Sequence, residues 1–231
     1  HFAVIYVDGK KYSLAHQHLL PNYVILDPTL TANLPKEITA SAGMDALGQA
    51  IEAYWSVNST EESKKYSEEA IRLILANLEL AVNRPTGEAR VVMMKAANLA
   101  GKAINIAQTT VSHALSYALT SSFGIAHGHA VALTLGQIFE YNSNVTSEDC
   151  NDRRGVDYVK NMIQDLILIL GCRTAIEAKD RIRELMGSIG LETDLSRLGV
   201  KKRDLNEIVN SVNLERLKKS NKNSMSKLNT C

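Results

Sequence analysis

Hydrophobic and polar positions at the start of the chain follow the two-residue period of β-strands. Residues 2–7 are rich in β-branched and aromatic residues, and Asp8-Gly9 separates them from residues 10–14. Asp-Gly between two such runs is a strong signal for a hairpin turn. Residues 23–26 predict one further strand, which Asp27-Pro28 would end. The sequence therefore begins with a predicted hairpin and strand.

From Ile38 onward the apolar positions recur at helical spacing. The first predicted helix runs from 38 to a break at 58–62, and the next two cover 62–82 and 88–105. A further helical segment passes through 109 and 110 and ends at 119. The remaining predicted helices cover 131–141 and lie near 156–170, 174–186 and 203–210. The segment that ends at 119 is either a continuation of the helix before it or a separate helix. From Lys218 the chain is polar, and we expect it to be frayed. The predicted fold class is therefore mainly α.

Composition and charge exclude several classes of function. Of the 231 residues, 45% are hydrophobic and 22% are charged, and the net charge is +1. This balance gives no electrostatic basis for binding nucleic acid or a membrane surface. No apolar run reaches the ~20 residues of a membrane helix, and the chain opens without a signal-peptide pattern. The three cysteines are odd in number and lack metal-like spacing, so we expect free thiols and a cytoplasmic location.

Two histidines fourteen positions apart mark the candidate chemistry. His113 ends a long apolar run of helical pattern, and His127 lies in a predicted loop marked by Gly124 and Gly128. Imidazoles at a helix end and on the following loop can turn toward one point, as metal ligands do. Taken alone, such a histidine is more often packed or hydrogen-bonded than a ligand.

Two further oxygen donors strengthen the metal hypothesis. Asp45 and Gln49 are four apart and share one face of a predicted helix. With the two histidines they form a donor set without a thiolate, which suits Fe(II), Mn(II) or Zn(II) with one position left open. The alternative for Gln49 is an ordinary residue on a helix surface.

These residues resemble the iron-containing alcohol dehydrogenase family, and the similarity extends over most of the chain. It is carried by GMDALGQAIE at residues 43–52, SHALSY at residues 112–117 and FGIAHGHAVALT at residues 123–134. The family binds its metal through an Asp and a His four apart on one helix and two further histidines fourteen apart. The resemblance therefore implies Asp45, His113 and His127 as ligands, with Gln49 where most members have the second ligand, a His.

Two departures from the family pattern resemble one branch, the phosphonoacetaldehyde reductases. They are Gln49 and Tyr117, which stands where many members have a non-ligand His that relays protons. Gln49 leaves three alternatives: a weak fourth ligand, a three-residue site completed by water, or no metal, as in the maleylacetate reductases of the same superfamily. The three retained ligands argue against the last. The proton for the product would come from Tyr117, His129, water, or solvent through the cofactor ribose.

The resemblance also implies the architecture. In the family an α/β domain binds the nicotinamide cofactor, and an all-helical domain of the iron-containing alcohol dehydrogenase/dehydroquinate synthase-like fold holds the metal. We expect residues 1–37 to be the end of the α/β domain, 38–217 the helical metal domain and 218–231 a polar tail. Because no Gly-rich segment joins a strand to a helix here, we expect a fragment of a longer enzyme, which at full length would form a homodimer or larger assembly.

The implied function is reduction of an aldehyde with NAD(H) or NADP(H) and Fe(II), with Zn(II) or another divalent ion as alternatives. Phosphonoacetaldehyde, reduced to 2-hydroxyethylphosphonate, is the expected substrate. A general short-chain alcohol dehydrogenase and an inactive fragment are the competing interpretations. Lys11 matches a family position near the cofactor ribose, and Leu30 and Thr31 match a segment that lines the cofactor cleft.

A phosphonate dianion requires a cation in the substrate site. Lys102 and Thr109 recur at helical spacing with His113, which predicts that all three share one helix face. Lys102 is therefore a candidate anion clamp, and Thr109 or Thr110 would supply hydrogen bonds. The competing interpretation is that Lys102 is a solvated surface charge, as most lysines are.

Overall fold

The computed structural model describes residues 2–7, 10–212 and 214–223. Within these residues one antiparallel hairpin, β1 (Phe2–Val7) and β2 (Lys10–Ala15), precedes nine α-helices. The helices are α1 (Lys36–Trp55), α2 (Glu61–Asn83), α3 (Gly87–Ala107), α4 (Val111–Phe123), α5 (His127–Ser143), α6 (Val156–Ile169), α7 (Ala175–Ser188), α8 (Leu205–Asn210) and α9 (Leu214–Leu217). The mainly α class is confirmed.

The β segment is confirmed in part. Val7 pairs with Lys10, as a two-residue hairpin requires, while Asp8 and Gly9 lie outside the described residues. The strand predicted over residues 23–26 is wrong: the segment is irregular, and Tyr23 is 91% exposed. A strand needs a neighbour for its backbone hydrogen bonds, and the described residues contain no sheet beyond the hairpin.

Helix α1 forms the centre of the helical part. It packs against α2, α3 and α5, so nearly its whole circumference is covered. Met44, Leu47, Ile51 and Trp55 recur at three- and four-residue steps along it and are completely buried. A helix that is apolar on most sides is expected in the interior of a helical domain. Two acidic residues that α1 carries are therefore withdrawn from solvent, Asp45 partly and Glu52 completely.

The chain between α3 and α4 breaks rather than continuing as one helix. α3 ends at Ala107, and Gln108 has a φ of +64°, a left-handed conformation that leaves the helical path. Ser56 Oγ donates to the carbonyl of Ala107 at 2.7 Å, which satisfies one of the last carbonyl groups of α3. His113 consequently lies in the first turn of α4 and not at the end of a long helix.

The loop predicted around His127 is wrong. His127 is the first residue of α5. The first turn of this helix lies very close to α1. A Cβ atom on Gly128 would lie 1.9 Å from the carbonyl oxygen of Ser41. Sequence reasoning took Gly128 for a loop signal, but its role is to let two helix backbones approach.

The tail is packed for as far as it is described. Ser220, Asn221 and Lys222 are buried, and Asn221 accepts a hydrogen bond from the backbone of Asn151 at 2.9 Å. Lys222 Nζ pairs with Asp149 at 3.0 Å. Fraying was predicted from polar composition, but the Ser220 hydroxyl, the Asn221 backbone and the Lys222 ammonium group find partners within the fold. For residues 218–223 that prediction is wrong, and residues 224–231 lie outside the described part.

None of the helices in the described part of the chain is long and apolar enough to cross a membrane. Cys150 and Cys172 are free thiols, as expected, and Cys231 lies outside the described residues. The domain boundaries stay predictions, although α1 begins at Lys36, close to the boundary expected after residue 37.

We predict that Gly128→Ala destabilises the protein. The added methyl group would force α1 and α5 apart, and overpacking of this kind costs about 1–3 kcal/mol. Denaturant unfolding measures the loss. Gly187→Ala on α7 is the matched control, because a methyl group there meets nothing within 4 Å, and it should leave stability equal or raise it by about 0.5–1 kcal/mol. Wild-type stability in Gly128→Ala would contradict the close contact.

Candidate metal centre

Three side chains from three helices converge at the centre of the molecule. Asp45 on α1, His113 on α4 and His127 on α5 each direct one ligand atom to a region in which these atoms lie within 4.8 Å of one another. Asp45 Oδ1 is 3.3 Å from His113 Nε2 and 3.6 Å from His127 Nε2. One carboxylate and two imidazoles at this spacing are a donor set for a divalent transition metal.

Glycines on α1 and α5 make the convergence possible. Gly48 faces α4 and α5, and a Cβ atom there would lie 2.6 Å from Val131 Cγ1 and 3.5 Å from His113 Cε1. Gly128 leaves α5 in contact with α1 one turn earlier, where a Cβ atom would lie 2.8 Å from Asp45 Cβ. The two glycines thus let α4 and α5 begin directly over the acidic side chain of α1.

Glu52 orients the imidazole of His113. Its carboxylate is completely buried and lies 2.5 Å from His113 Nδ1. It also accepts from the backbone N–H of Thr110 at 3.1 Å and of Ser112 at 2.7 Å, and from Thr110 Oγ1 at 2.8 Å. A carboxylate behind a histidine in this way fixes the ring and its tautomer in many metal sites.

The electrostatics of this pair favour charge on both partners. Burial alone would raise the pKa of Glu52, but the charge of His113 and the hydrogen bonds lower it below its usual value. Burial alone would lower the pKa of His113, but the carboxylates of Glu52 and Asp45 raise it to about 9. Without a metal, His113 would therefore be positively charged at neutral pH, with Nδ1 toward Glu52 and Nε2 toward Asp45.

The surroundings of His113 Nε2 fit a metal. This nitrogen is buried and makes no hydrogen bond to the described residues, although Asp45 Oδ1 lies 3.3 Å away as an ion-pair partner. A buried nitrogen without a hydrogen bond is costly in a folded protein. Coordination of a cation by Nε2 would remove that cost while Nδ1 stays bonded to Glu52. His127 has a side chain that is 38% exposed, so the site opens to solvent on that side.

Gln49 lies next to the cluster, with its amide nitrogen toward Asp45. Gln49 Nε2 donates to Asp45 Oδ2 at 2.8 Å, while Oδ1 faces the two histidines. In this arrangement Gln49 orients the carboxylate. Its assignment as a fourth ligand stays a prediction, for which the amide oxygen would have to turn toward the metal.

The two candidate proton donors lie in different surroundings. The ring of Tyr117 stacks on that of His127 with an interplanar angle of 15° and centroids 5.8 Å apart. His129 is two residues after His127 on α5 and so faces away from it. His129 Nε2 lies 2.6 Å from the carbonyl oxygen of Glu192, and its backbone N–H donates to Ser41 Oγ. The structure thus brings Tyr117 to the cluster, while His129 is bonded elsewhere and its catalytic role stays a prediction.

A cavity of about 450 Å³ opens beside the cluster. Tyr117 and His127 form its inner wall, and Asp204 and Glu207, at the start of α8, line its outer part. A small aldehyde would fit in this volume. The two carboxylates would repel an anionic group from the outer part of the cavity.

The structure separates the residues predicted to bind substrate. Lys102 lies on α3, which ends before His113, so the helix face they were expected to share does not exist. Lys102 is exposed, with Nζ 5.6 Å from the centre of the Tyr66 ring. The argument from spacing for Lys102 as the anion clamp is therefore wrong. Thr109 is buried in the link between α3 and α4, where its hydroxyl accepts a hydrogen bond from Arg216 Nη1 at 2.7 Å.

The residues predicted near the cofactor lie outside the helical centre. Lys11 is on β2 opposite Tyr6, and its side chain lies outside the described part. Leu30 is 83% exposed, and Thr31 Oγ1 donates to the carbonyl of Pro28 in a short 3-10 helix. Their cofactor roles stay predictions.

Residues 39–229 match the model of the Fe-containing alcohol dehydrogenase family, C-terminal. The match covers most of the chain, so the chain belongs to this family, and the predicted helical fold of the family is confirmed.

Individual relatives are similar over most of this chain. It is 37% identical over 197 residues to a phosphonoacetaldehyde reductase of Streptomyces viridochromogenes, covering 85% of this chain and 49% of the relative. A sulfoacetaldehyde reductase from Bifidobacterium kashiwanohense, solved in complex with NAD+, is 32% identical with a TM-score of 0.80, covering 96% and 56%. A 1,3-propanediol oxidoreductase is 30% identical with a TM-score of 0.72, covering 92% and 54%. The chain thus spans about half the length of these relatives.

We predict that the purified chain takes up close to one equivalent of iron or zinc, and that Asp45→Asn abolishes the uptake. The oxygen that faces both histidines loses its charge in that variant, so the attraction for a cation falls. Gln49→Ala should weaken binding only several-fold, because in the structure Gln49 orients Asp45. Elemental analysis and competition with a chelator measure both effects. Full metal content in Asp45→Asn would contradict the site.

We predict that Glu52→Gln weakens metal binding about 10- to 100-fold, although Glu52 is not itself a proposed ligand. The reason is that the charge that orients His113 is lost. Chelator competition again gives the affinity, and circular dichroism establishes that the variant is folded. Glu140→Gln is the matched control, since it removes a carboxylate of α5 that pairs with Lys179 at 2.6 Å, away from the cluster. Equal affinity in Glu52→Gln and Glu140→Gln would exclude the orienting role.

Proposed function

We propose that this chain is the metal- and substrate-binding part of an oxidoreductase that reduces a small aldehyde with NADH or NADPH. The single observation that carries the proposal is the convergence of Asp45, His113 and His127, backed by the buried carboxylate of Glu52. Membership in the Fe-containing alcohol dehydrogenase family supports the reaction class. The assignment of these three residues as metal ligands is part of the proposal.

The residues of this chain would bind, orient and protonate the substrate. A divalent metal held by the three ligands would supply Lewis-acid polarisation of the carbonyl group, and a nicotinamide would supply hydride. The cavity beside His127 positions the aldehyde, and the ring of Tyr117 closes one side of it. Tyr117 is the proposed source of the proton that the product alcohol requires, directly or through water.

Phosphonoacetaldehyde is the substrate that we propose. The names of two relatives support it, since phosphonoacetaldehyde and sulfoacetaldehyde are both two-carbon aldehydes with an oxyanion group. Both relatives are more than 30% identical to this chain over at least 85% of its length. The product would then be 2-hydroxyethylphosphonate.

A general short-chain alcohol dehydrogenase is the second candidate. The specific observation in its favour is the acidic outer part of the cavity, where Asp204 and Glu207 disfavour an anion. Similarity to a 1,3-propanediol oxidoreductase, whose named substrate is neutral, agrees with it. A chain that binds metal but turns nothing over is the third possibility, because it spans about half of its relatives.

We predict a preference for phosphonoacetaldehyde over propionaldehyde of at least about 10-fold in kcat/KM, since one charge-assisted hydrogen bond is worth that much or more. The assay follows oxidation of NADH and of NADPH by the iron- or zinc-loaded protein with each aldehyde. Equal or reversed preference would favour the general dehydrogenase. Metal binding without turnover of either aldehyde would favour the non-catalytic alternative.

A further inference from the structure

Arg216 lies beside the aromatic residue that stacks on a metal ligand. Its guanidinium carbon is 5.1 Å from the centre of the Tyr117 ring, and that ring stacks on His127. The side chain is partly buried, and it reaches from α9 across to the link between α3 and α4, where it donates to Thr109 Oγ1. A positive charge therefore stands beside the ring that stacks on His127.

The charge of Arg216 is not balanced by a carboxylate. Among the described residues no acidic group lies within ion-pair distance of it, and its single side-chain hydrogen bond is to a neutral hydroxyl. Lys219 is a second cation nearby: its Nζ donates to Gln108 Oε1. Burial and the charge of Arg216 both lower the pKa of Lys219, while the nearby carboxylate of Glu215 acts in the opposite direction. Two like charges held close together favour an anion between or beside them.

Arg154, an arginine that serves the fold of this protein, is bonded differently. Arg154 binds both carboxylate oxygens of Asp152, and its remaining donors reach Ser56, Ser59 and Tyr158. The planar guanidinium of Arg216, in contrast, keeps most of its five donors available to a group with several oxygens. Phosphonate and sulfonate are groups of that kind.

We infer that Arg216 recognises the oxyanion of the substrate, an inference that rests on the proposed function. Only one methylene group separates the phosphonate from the carbonyl carbon, so the cation that selects it must stand close to the metal ligands. Arg216 meets that requirement through Tyr117, whereas Lys102 lies over Tyr66 on another face.

The test measures binding as well as turnover. Zinc-loaded wild type, Arg216→Gln, Arg216→Lys and Arg173→Gln are titrated with 2-hydroxyethylphosphonate, followed by phosphorus NMR, and with NADH, followed by fluorescence. Arg173→Gln is the matched control, because it removes one positive charge from a side chain that is 89% exposed and pairs with Glu177 on α7. Circular dichroism and thermal unfolding establish that each variant is folded.

We expect Arg216→Gln to bind the phosphonate about 10- to 100-fold more weakly and Arg173→Gln to bind it as wild type does. Arg216→Lys keeps the charge but not the fork of donors, so its loss should be smaller. In turnover, the KM for phosphonoacetaldehyde should rise in Arg216→Gln, and the KM for propionaldehyde should not.

Several results would overturn the assignment. If Arg216→Gln binds the phosphonate as tightly as wild type, Arg216 does not recognise the oxyanion. If Arg216→Lys binds it as weakly as Arg216→Gln, the positive charge is not what determines binding. Loss of NADH affinity with unchanged phosphonate affinity would assign Arg216 to the phosphates of the dinucleotide. If Lys102→Gln, titrated in the same way, lost phosphonate affinity instead, Lys102 would again be the candidate anion clamp. If wild type itself shows no phosphonate binding, the proposed substrate is wrong, which is a different failure.

Discussion

The buried carboxylate of Glu52 is the contact on which the centre of this protein depends. It joins α1 to the link between α3 and α4 and to the imidazole of His113. A buried carboxylate is strongly unfavourable unless several donors reach it together. The link therefore has little freedom, which agrees with the left-handed conformation of Gln108. The same interaction that closes the helix packing also orients a candidate ligand.

Local patterns predicted most of the helices and the three side chains that converge at the candidate metal centre. α2, α6 and α7 follow from hydrophobic spacing within about two residues, because each buries one apolar stripe. Asp45, His113 and His127 were found from their spacing and family resemblance. Glu52 was missed, since a glutamate in a predicted helix resembles a solvated one until its donors are known. Lys102 was misplaced because its helix was extended across a break that depends on tertiary contacts.

Charged side chains of both signs lie near Tyr117 and the candidate cleft. Asp204 and Glu207 line the outer cavity, while Arg216 and Lys219 lie near Tyr117 and the link between α3 and α4. Such an arrangement creates a field along the cleft that would orient a molecule with one anionic end before any contact forms. A neutral alcohol would feel little of this field. Orientation and selection of substrate can thus arise from the same four side chains.

The packed C-terminal segment connects parts of the molecule that are distant in sequence. The carbonyl of Lys219 accepts from the backbone of Val57 at 3.0 Å, and that of Asn221 accepts from Asn151 at 2.9 Å. A ligand held by Arg216 would stabilise this segment and, through it, both of those hydrogen bonds. The end of the chain would then report occupancy of the cleft: amide hydrogen exchange at Val57 and Asn151 would slow on binding, although neither residue needs to touch the ligand.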